Sequence, residues 1–428
     1  MIREPRHLKT RLAVIGSGIA GFAASIFALE RGIATAQVGN TGAIAYTSGY
    51  FDLLGISGGK LVEDPFAGLA ELREAEPGHP LSRISDEDIR AAFAAFTKAI
   101  TEMGIGYSEP DNANHRALLP AGTAKPTYAV PRTMVAGIEA YAAGTPTVIV
   151  DFVGLQGFSA NEMVSNLKAD WPALSAAHIG FPDMDSGVQV FPEVMARALE
   201  VPATREQLAE RLRAVAGDAE AIGLPAMTGI HLPDKVHGEL ERLVGLPIFE
   251  IPTMPPAVPG IRLREMFEQK LPERGLQLVS QQTVEHLTLG ETGITLALHD
   301  AYGDVTIEAE AVLLATGRFL SGGLDAGRDR IRETLLDLPV EQPEAREDWH
   351  SRQYFDPNGH AINRAGLVVD DHFRPLGHDG TIVDPRLYAA GIVLARQDWV
   401  RQRCGAGVAI ASAYRAVASI AEDLAAEA

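Results

Sequence analysis

Residues 11–40 read RLAVIGSGIAGFAASIFALERGIATAQVGN, and this stretch leaves few folds open to the chain. Four apolar residues lead into a glycine-rich turn, and an alanine-rich stretch follows that ends in an arginine and a glycine. The pattern predicts a strand over 12–15, a helix over 19–31 and a second strand over 34–38. A strand that enters a helix through a glycine turn presents backbone N–H groups to a phosphate, so we predict a nucleotide-binding β–α–β unit.

The turn has the spacing Gly-x-Gly-x-x-Gly. Its glycines allow a sharp turn, a close approach of the backbone to a pyrophosphate, and close packing of helix on strand. We therefore predict cofactor contacts at Gly16, Ser17, Gly18, Ala20 and Gly21. An acidic residue usually follows the second strand and binds a ribose hydroxyl, but here Gly39 and Asn40 occupy that place.

Two further glycine turns follow predicted strands late in the chain. The first is Ala-Thr-Gly at 315–317, after AEAVLL, and the second is Ala-Gly at 390–391, after PRLYA. The last helix begins with Gly-Ala-Gly at 405–407. In flavin-binding Rossmann-type proteins the chain returns to the cofactor in this order, which is a stronger signal than one glycine motif alone. The additional predicted cofactor contacts are Thr316, Gly317, Gly391, Gly405, Ala406 and Gly407.

The order of strands and helices predicts an α/β fold. We expect a flavin-binding Rossmann-type domain of the fumarate-reductase-like kind, formed by both chain ends (1–60 and 260–428). Residues 61–259 are predicted to form an inserted α/β domain, because further apolar strand segments alternate there with amphipathic helices.

The composition limits the classes of partner that the chain can bind directly. The 428 residues include 37 basic and 56 acidic ones, for a net charge of −19, which argues against direct binding to nucleic acid or anionic lipid. No apolar run reaches the roughly 18 residues of a membrane span, and the N-terminus has no signal-peptide core. The single cysteine, Cys404, excludes an internal disulfide, and no metal site is predicted. We expect a cytoplasmic protein that obtains any membrane contact or metal centre from a partner.

Four longer motifs carry a more specific resemblance. They are TSGYFDLL (47–54), PTMPPAVPGIRL (252–263), GRFLSGGL (317–324) and RCGAGVA (403–409). Together they resemble the B subunits of the anaerobic glycerol-3-phosphate dehydrogenase family, over nearly the whole chain. The resemblance implies a flavin-bearing subunit of a respiratory enzyme that oxidises glycerol 3-phosphate to dihydroxyacetone phosphate and passes electrons toward quinone. It also implies two partners: a catalytic flavoprotein subunit, which itself can hold the substrate, and an iron–sulfur subunit that anchors the complex peripherally at the inner membrane.

The resemblance implies FMN as the cofactor, whereas the fold by itself suggests FAD. The missing acid after the second strand favours FMN, which has no adenosine ribose, although Asn40 or a backbone group can still reach a ribose. Thr47, Ser48 and Gly49 are expected either beside the flavin ring, as in fumarate-reductase-like flavoproteins, or in an ordinary polar loop.

The segment ARQDWVRQRCGAG (395–407) departs from the family pattern, which has a glycine-rich run there. Its three arginines make two interpretations possible: they hold negative charge beside the flavin, or they pair with surface carboxylates such as Asp398. The anion-binding candidates of the chain are Arg262, Arg396, Arg401 and Arg403. Cys404 precedes a helix N-terminus, where a thiol pKa can fall, but packing is the alternative. No side chain is assigned as a catalytic base.

Three functions remain open from the sequence. The first is the flavin-bearing subunit of a glycerol-3-phosphate dehydrogenase complex. The second is a stand-alone flavin oxidoreductase that acts on a small anionic substrate. The third is a flavin-free scaffold that only bridges other subunits.

Overall fold

The computed structural model describes residues 6–40, 43–184 and 189–426. The strands are β1 (Arg6–Ile15), β2 (Thr35–Gly39), β3 (Ile56–Ser57), β4 (Lys60–Leu61), β5 (His115–Leu119), β6 (Thr123–Thr127), β7 (Thr147–Phe152), β8 (Leu174–Ile179), β9 (Ala221–Pro225), β10 (Ile248–Ile251), β11 (Gln277–Ser280), β12 (His286–Leu289), β13 (Ile294–Asp300), β14 (Gly303–Leu314), β15 (Leu324–Ala326), β16 (Ile331–Glu333), β17 (Val340–Glu341), β18 (Gly366–Leu367) and β19 (Leu387–Ala389).

The α-helices are α1 (Ile19–Glu30), α2 (Pro65–Ala75), α3 (Asp86–Glu102), α4 (Arg132–Ala143), α5 (Ala160–Leu167), α6 (Pro192–Ala198), α7 (Pro202–Ala216), α8 (Pro233–Val244), α9 (Val258–Glu273), α10 (Trp399–Gln402) and α11 (Gly405–Ala426). Short 3₁₀ helices cover Ile44–Tyr46, Pro80–Arg83, Arg346–Asp348, Ala361–Arg364 and Gly391–Val393. No helix in the described part of the chain is long and apolar enough to cross a membrane.

Two compact units divide the chain. The first, here called the nucleotide unit, consists of Met1–Ala43, Asp52–Phe96 and Phe267–Ala428. The second, here called the inserted unit, consists of Ile44–Phe51 and Thr97–Met266.

The nucleotide unit is built on a seven-stranded sheet with the order β11-β2-β1-β14-β13-β12, and β19 also pairs with β14. Strands β11, β2, β1, β14 and β19 run parallel, whereas β12, β13 and β14 form antiparallel pairs. Helix α1 packs against α11, with Phe27 edge-on to Tyr414 at 5.1 Å between ring centroids. Every residue of α1 from Ala20 to Ala28 is buried, as expected for a helix that is apolar all round.

The inserted unit contains a four-stranded parallel sheet with the order β10-β9-β7-β8. All six residues of β7 are buried, which fits a parallel strand covered on both faces. Helix α4 lies directly on β10, because a Cβ atom at Gly137 would be only 2.5 Å from the Phe249 ring. The apolar runs in the middle of the sequence therefore form strands of one buried sheet.

The division by contacts differs from the predicted boundaries at three places. The smallest difference is residues 260–266, which lie in the inserted unit and not in the nucleotide unit. Residues 61–96 lie in the nucleotide unit, where the Phe96 ring packs 6.3 Å from the rings of Phe27 and Phe267. Residues 44–51 lie in the inserted unit, because Phe51 exchanges backbone hydrogen bonds with Ala129 and stacks on Tyr107 at 4.5 Å. Neither set of contacts can be predicted from the local sequence pattern, because each joins segments that are far apart in the chain.

The first strand is longer than the predicted 12–15. Strand β1 starts at Arg6 because its outer half pairs with β14, from Arg6 opposite Val305 to Ile15 opposite Leu314. Residues 6–10 are mostly exposed and therefore carry no apolar run that could reveal the strand.

Candidate cofactor site

The first glycine turn joins β1 to α1 in a conformation that requires glycine. Gly16 has φ +127°, and a Cβ atom there would lie 2.1 Å from the Ala315 carbonyl oxygen. A Cβ atom at Gly21 would lie 2.0 Å from the Gly16 oxygen. At Gly18, by contrast, a Cβ atom would meet no atom of the described residues within 4 Å. Two of the glycines thus permit backbone packing, and Gly18 faces open space.

Gly18 is also the N-cap of α1. No side chain in the described part of the chain caps this end of the helix, and the first turn carries no acidic residue. The leading N–H groups of a helix have no partner within the helix, and the positive end of the helix dipole lies beside them. This end of α1 is therefore open and electropositive, which are the properties needed to bind a phosphate.

The end of β2 packs against the same turn. A Cβ atom at Gly39 would lie 2.7 Å from the Ser17 backbone nitrogen, and the Ser17 hydroxyl donates to the Asn40 carbonyl oxygen. Glycine at 39 is thus required by close packing. The side chain of Asn40 is exposed at the end of the strand, where an acidic residue usually binds ribose.

The second and third glycine turns lie against the first. Ala315 N donates to Ile15 O at 2.8 Å, and a Cβ atom at Gly391 would lie 2.7 Å from the Ala20 side chain. Gly317 and Gly391 have φ of +70° and +81°. The Thr316 hydroxyl is buried and has no hydrogen-bond partner within residues 6–40, 43–184 and 189–426. A buried hydroxyl without a partner is uncommon, and a bound cofactor would supply one.

The start of α11 packs tightly against residues 52–53. Gly407 N donates to Asp52 O at 2.7 Å, and a Cβ atom at Gly407 would lie 2.4 Å from Leu53 O. The first turn of α11, which includes Gly405 and Ala406, carries no acidic residue. Cys404 is fully buried, and this burial raises the pKa of its thiol well above the ordinary value. Of the two interpretations of Cys404, burial favours packing over a lowered thiol pKa.

The Thr47–Gly49 segment forms a packed turn in the inserted unit. Thr47 Oγ1 accepts a hydrogen bond from Gly49 N at 3.2 Å, and Ser48 Oγ accepts one from Tyr50 N at 3.4 Å. A Cβ atom at Gly49 would lie 2.7 Å from the Pro259 side chain, which belongs to the proline-rich motif. The structure therefore places residues 47–51 of the first resemblance motif in the same unit as the proline-rich motif.

Arg262 is buried and paired within the inserted unit. Its side chain is 2% exposed, and its Nη1 and Nη2 atoms donate to the two carboxylate oxygens of Glu250 at 2.6 and 2.8 Å. Its Nε atom donates to Gly229 O at 2.7 Å. This pairing corrects the candidate role in anion binding, because all three guanidinium nitrogens already have acceptors inside the protein.

The three arginines near residue 400 differ in their partners. Arg396 donates to Glu341 through Nε and Nη2, at 2.6 to 3.0 Å, and Arg401 lies 3.7 Å from Asp398. The Arg403 side chain has no hydrogen bond or ion pair with any residue in the described ranges. Two of the three thus pair with carboxylates, and Arg403 remains the candidate for an external anion.

Arg318 was not among the predicted site residues. It directly follows the second glycine turn and is buried, and among the residues that the structure describes it donates to backbone carbonyls only. The sequence contained one signal, an arginine within GRFLSGGL, but nothing in the pattern distinguishes a buried arginine from an exposed one.

Comparison with known proteins identifies the class. The sequence model of the FAD binding domain family matches residues 11–408, so the chain belongs to this family of flavin-dependent oxidoreductases and has its α/β fold. This confirms the predicted fold class and the predicted flavin. The family description names FAD, and FMN finds no support.

The particular family follows from the curated relatives. The chain is 30% identical over 430 residues to the B subunit of anaerobic glycerol-3-phosphate dehydrogenase from Yersinia pestis bv. Antiqua (strain Antiqua), covering 98% of this chain and 99% of the relative. The corresponding B subunit from Pectobacterium carotovorum is 30% identical, with 96% of this chain and 98% of the relative covered. The chain therefore belongs to the family of anaerobic glycerol-3-phosphate dehydrogenase B subunits, as the resemblance indicated.

Solved structures are more distant. A 3-ketosteroid Δ1-dehydrogenase from Sterolibacterium denitrificans is 12% identical with a TM-score of 0.44, covering 97% of this chain and 100% of the other. A flavocytochrome c3 fumarate reductase is 10% identical with a TM-score of 0.40, covering 97% and 78%.

Proposed function

We propose that this chain is the flavin-bearing subunit of a respiratory sn-glycerol-3-phosphate dehydrogenase complex. In this role it takes part in the oxidation of glycerol 3-phosphate to dihydroxyacetone phosphate and in electron transfer toward quinone. The observation that carries the proposal is the meeting of three glycine turns at the uncapped end of α1, where Gly18 faces open space. The names of the 30% identical relatives support the substrate and the assembly.

We further propose that the flavin is FAD. The turn from Gly16 to Gly21, with Ser17 and Ala20, would hold the pyrophosphate, and Asn40 would contact the ribose in place of the usual acid. Thr316, Gly317 and Gly391 would line the flavin, and the start of α11 at 405–407 would favour its electron-rich edge. Thr47, Ser48 and Gly49 remain candidates for a place beside the ring. When bound, the flavin supplies the two-electron chemistry, and the chain supplies its binding, orientation and electrostatic environment.

The proposed partners are a catalytic flavoprotein subunit and an iron–sulfur subunit that anchors the complex at the inner membrane. The names of the relatives describe one subunit of an enzyme, which supports an assembly of several chains. In this proposal glycerol 3-phosphate binds either this chain or the catalytic partner. Arg403 is the candidate on this chain for contact with an external anion, since Arg396 and Arg401 already pair with carboxylates.

The test is flavin content in matched glycine variants. Gly18→Leu places a side chain where the pyrophosphate is proposed to bind, and φ −84° at this position is open to leucine. Gly238→Leu is the control, because Gly238 is an exposed helical glycine whose Cβ would also meet nothing within 4 Å. We expect Gly238→Leu to retain FAD and Gly18→Leu to fold without it. A Gly18→Leu protein with full FAD content would refute the proposed site.

Reduction by substrate separates the proposed function from its alternatives. Glycerol 3-phosphate should reduce the flavin in the assembled complex. The reduction is measured as the loss of flavin absorbance in a single turnover. Full-rate quinone reduction by the isolated chain would instead establish a stand-alone oxidoreductase. A purified wild-type chain without any flavin would establish the scaffold.

A further inference from the structure

Arg318 connects the second glycine turn to the segment that contains the third. It follows Gly317, and its side chain is enclosed by the nucleotide unit with only 7% of the residue exposed. Its guanidinium donates to four carbonyl oxygens: Ile392 (2.6 Å, from Nε), Asn363 (from Nη1), and Leu394 and Gln397 (3.3 Å each, from Nη2). Three of these acceptors lie in the 391–397 segment, here called the carbonyl segment.

Two side chains hold the oxygens of the carbonyl segment. Besides Arg318, the Gln397 side chain donates from Nε2 to the oxygens of Ile392 and Leu394, both at 3.1 Å, so it shares two acceptors with the arginine. Of these two side chains, Arg318 is the one that also reaches a second loop, at the oxygen of Asn363. The Arg396 amide is joined to the same loop through Arg364 O at 2.8 Å. The planar guanidinium of Arg318 therefore holds the backbone in place between the third glycine turn and α10.

The charge of Arg318 has no direct counter-ion. No carboxylate of the described residues lies within 4.0 Å of its guanidinium, and Asp398 acts on it only through space. Burial lowers the pKa of Arg318 to about 10, so the group stays protonated at neutral pH. A buried cation that is solvated only by carbonyls is costly to fold, and a nearby anionic group would reduce this cost.

We propose that Arg318 is a positioning residue of the flavin site, which holds the carbonyl segment in place before the cofactor binds and whose charge favours the reduced, anionic flavin. The electrostatic role rests on the proposed function. The positioning role concerns the backbone of the chain and is measured without cofactor.

The experiment uses three variants of the full chain. Arg318→Met removes both the fork and the charge, and Arg318→Lys keeps the charge but loses the fork. Arg346→Met is the matched control, because Arg346 also donates to backbone carbonyls, Gly327 O at 2.6 Å and Arg328 O at 3.0 Å, but is exposed. Amide hydrogen exchange of the flavin-free proteins is followed by mass spectrometry over residues 391–397.

The reporting amides are those of Ala395 and Arg396, whose N–H groups donate to backbone oxygens at 2.9 and 2.8 Å. We expect exchange in the carbonyl segment to accelerate at least about tenfold in Arg318→Met and in Arg318→Lys, because both lose the planar fork that bonds several carbonyls of the segment at once. Exchange should stay unchanged in Arg346→Met, which leaves the fork in place. Unchanged exchange in both Arg318 variants would overturn the positioning role. If Arg318→Met does not fold, the lysine variant and its control decide the question.

The second readout is the flavin itself. FAD should bind at least about tenfold more weakly to Arg318→Met, and at a fixed dye potential its reduced-to-oxidised ratio should fall at least about threefold. Arg318→Lys should restore this ratio while the weaker binding persists. Equal ratios in wild type and Arg318→Met would overturn the electrostatic role. A wild-type chain that binds no FAD would refute the proposed function and the electrostatic role, whereas the exchange experiment would still decide the positioning role.

Discussion

Replacement of Glu250 by glutamine should strongly destabilise the inserted unit. Glu250 is fully buried at the end of β10, and its carboxylate forms the bidentate pair with Arg262. The carboxylate also accepts hydrogen bonds from Met227 N at 2.7 Å, from Thr228 N and Oγ1 at 2.6 and 2.8 Å, and from Thr133 Oγ1 at 2.7 Å. Glu250→Gln keeps the shape of the side chain but leaves the guanidinium of Arg262 without a counter-ion in a site with no access to water.

The expected magnitude follows from two separate arguments. Breaking a buried ion pair by removing one partner costs about 3–5 kcal/mol. The pair with Arg262 and the hydrogen bonds lower the pKa of Glu250 from 4.5 to about 2, against the opposing effect of burial. That difference corresponds to roughly 3 kcal/mol of stability for the ionised form. Both arguments give about 3 kcal/mol, which is a large fraction of the stability of a typical domain.

The pH dependence has a definite sign. Because the folded-state pKa is the lower one, the contribution of Glu250 is complete above pH 4.5 and is lost as the pH falls toward 2. Glu250→Gln should therefore be less stable than wild type at neutral pH, and this difference should shrink in acid. The double variant Glu250→Gln/Arg262→Met should recover part of the loss, because it removes the unpaired charge.

Trp171 offers a local probe. It is fully buried in the inserted unit, whereas the other tryptophans, Trp349 and Trp399, lie in the nucleotide unit. Urea unfolding followed by fluorescence in a Trp349→Phe/Trp399→Phe background therefore reports the inserted unit. A Glu250→Gln loss below about 1 kcal/mol at pH 7, or a double variant less stable than both single variants, would refute the reasoning.

Three further outcomes are expected. Gly21→Ala should lose FAD and stability, measured by absorbance and urea unfolding, because its Cβ would lie 2.0 Å from Gly16 O. Gly238→Ala should retain FAD and be at least as stable as wild type, because alanine favours the helix. Burial lowers the pKa of His79 to about 4, so the folded protein holds a neutral imidazole that takes up a proton on unfolding, and wild type should lose stability as the pH falls from 6.5 to 4. His79→Gln should abolish this loss; a free energy of unfolding that still falls over this pH range in urea titrations of the variant would contradict the assignment. Arg403→Gln should weaken the binding of FAD or of glycerol 3-phosphate about tenfold, measured by titration. Arg396→Gln should change neither affinity, because Arg396 already pairs with Glu341. Equal losses of affinity in the two variants would contradict the assignment of Arg403 as the anion-binding arginine.

The sequence predicted what depends on local pattern. The strand, turn and helix at residues 11–40 were recognisable because glycine spacing and apolar periodicity are local properties. The burial and pairing of Arg262 could not be predicted, because its partner Glu250 lies in a different element and neither residue stands in a stretch that indicates an ion pair. The same holds for residues 44–51, whose backbone partner Ala129 is distant in the chain. Side-chain pairing and the division into units depend on such long-range contacts, which one sequence does not encode in any short window.

Comparison of the two buried arginines shows why the partner of a charge matters more than its burial. Arg262 has a carboxylate that neutralises it, and all three of its guanidinium nitrogens have acceptors within the inserted unit. Arg318 is solvated by four carbonyl dipoles and keeps its net positive charge within the nucleotide unit. A neutral pair has little electric field beyond its contacts, whereas a buried cation without a counter-ion acts over a longer range in a medium of low dielectric constant. Sequence reasoning selected Arg262 for a conspicuous motif, whereas our proposal assigns the electrostatic role at the cofactor site to Arg318, because its charge is not neutralised by a direct carboxylate partner among the described residues.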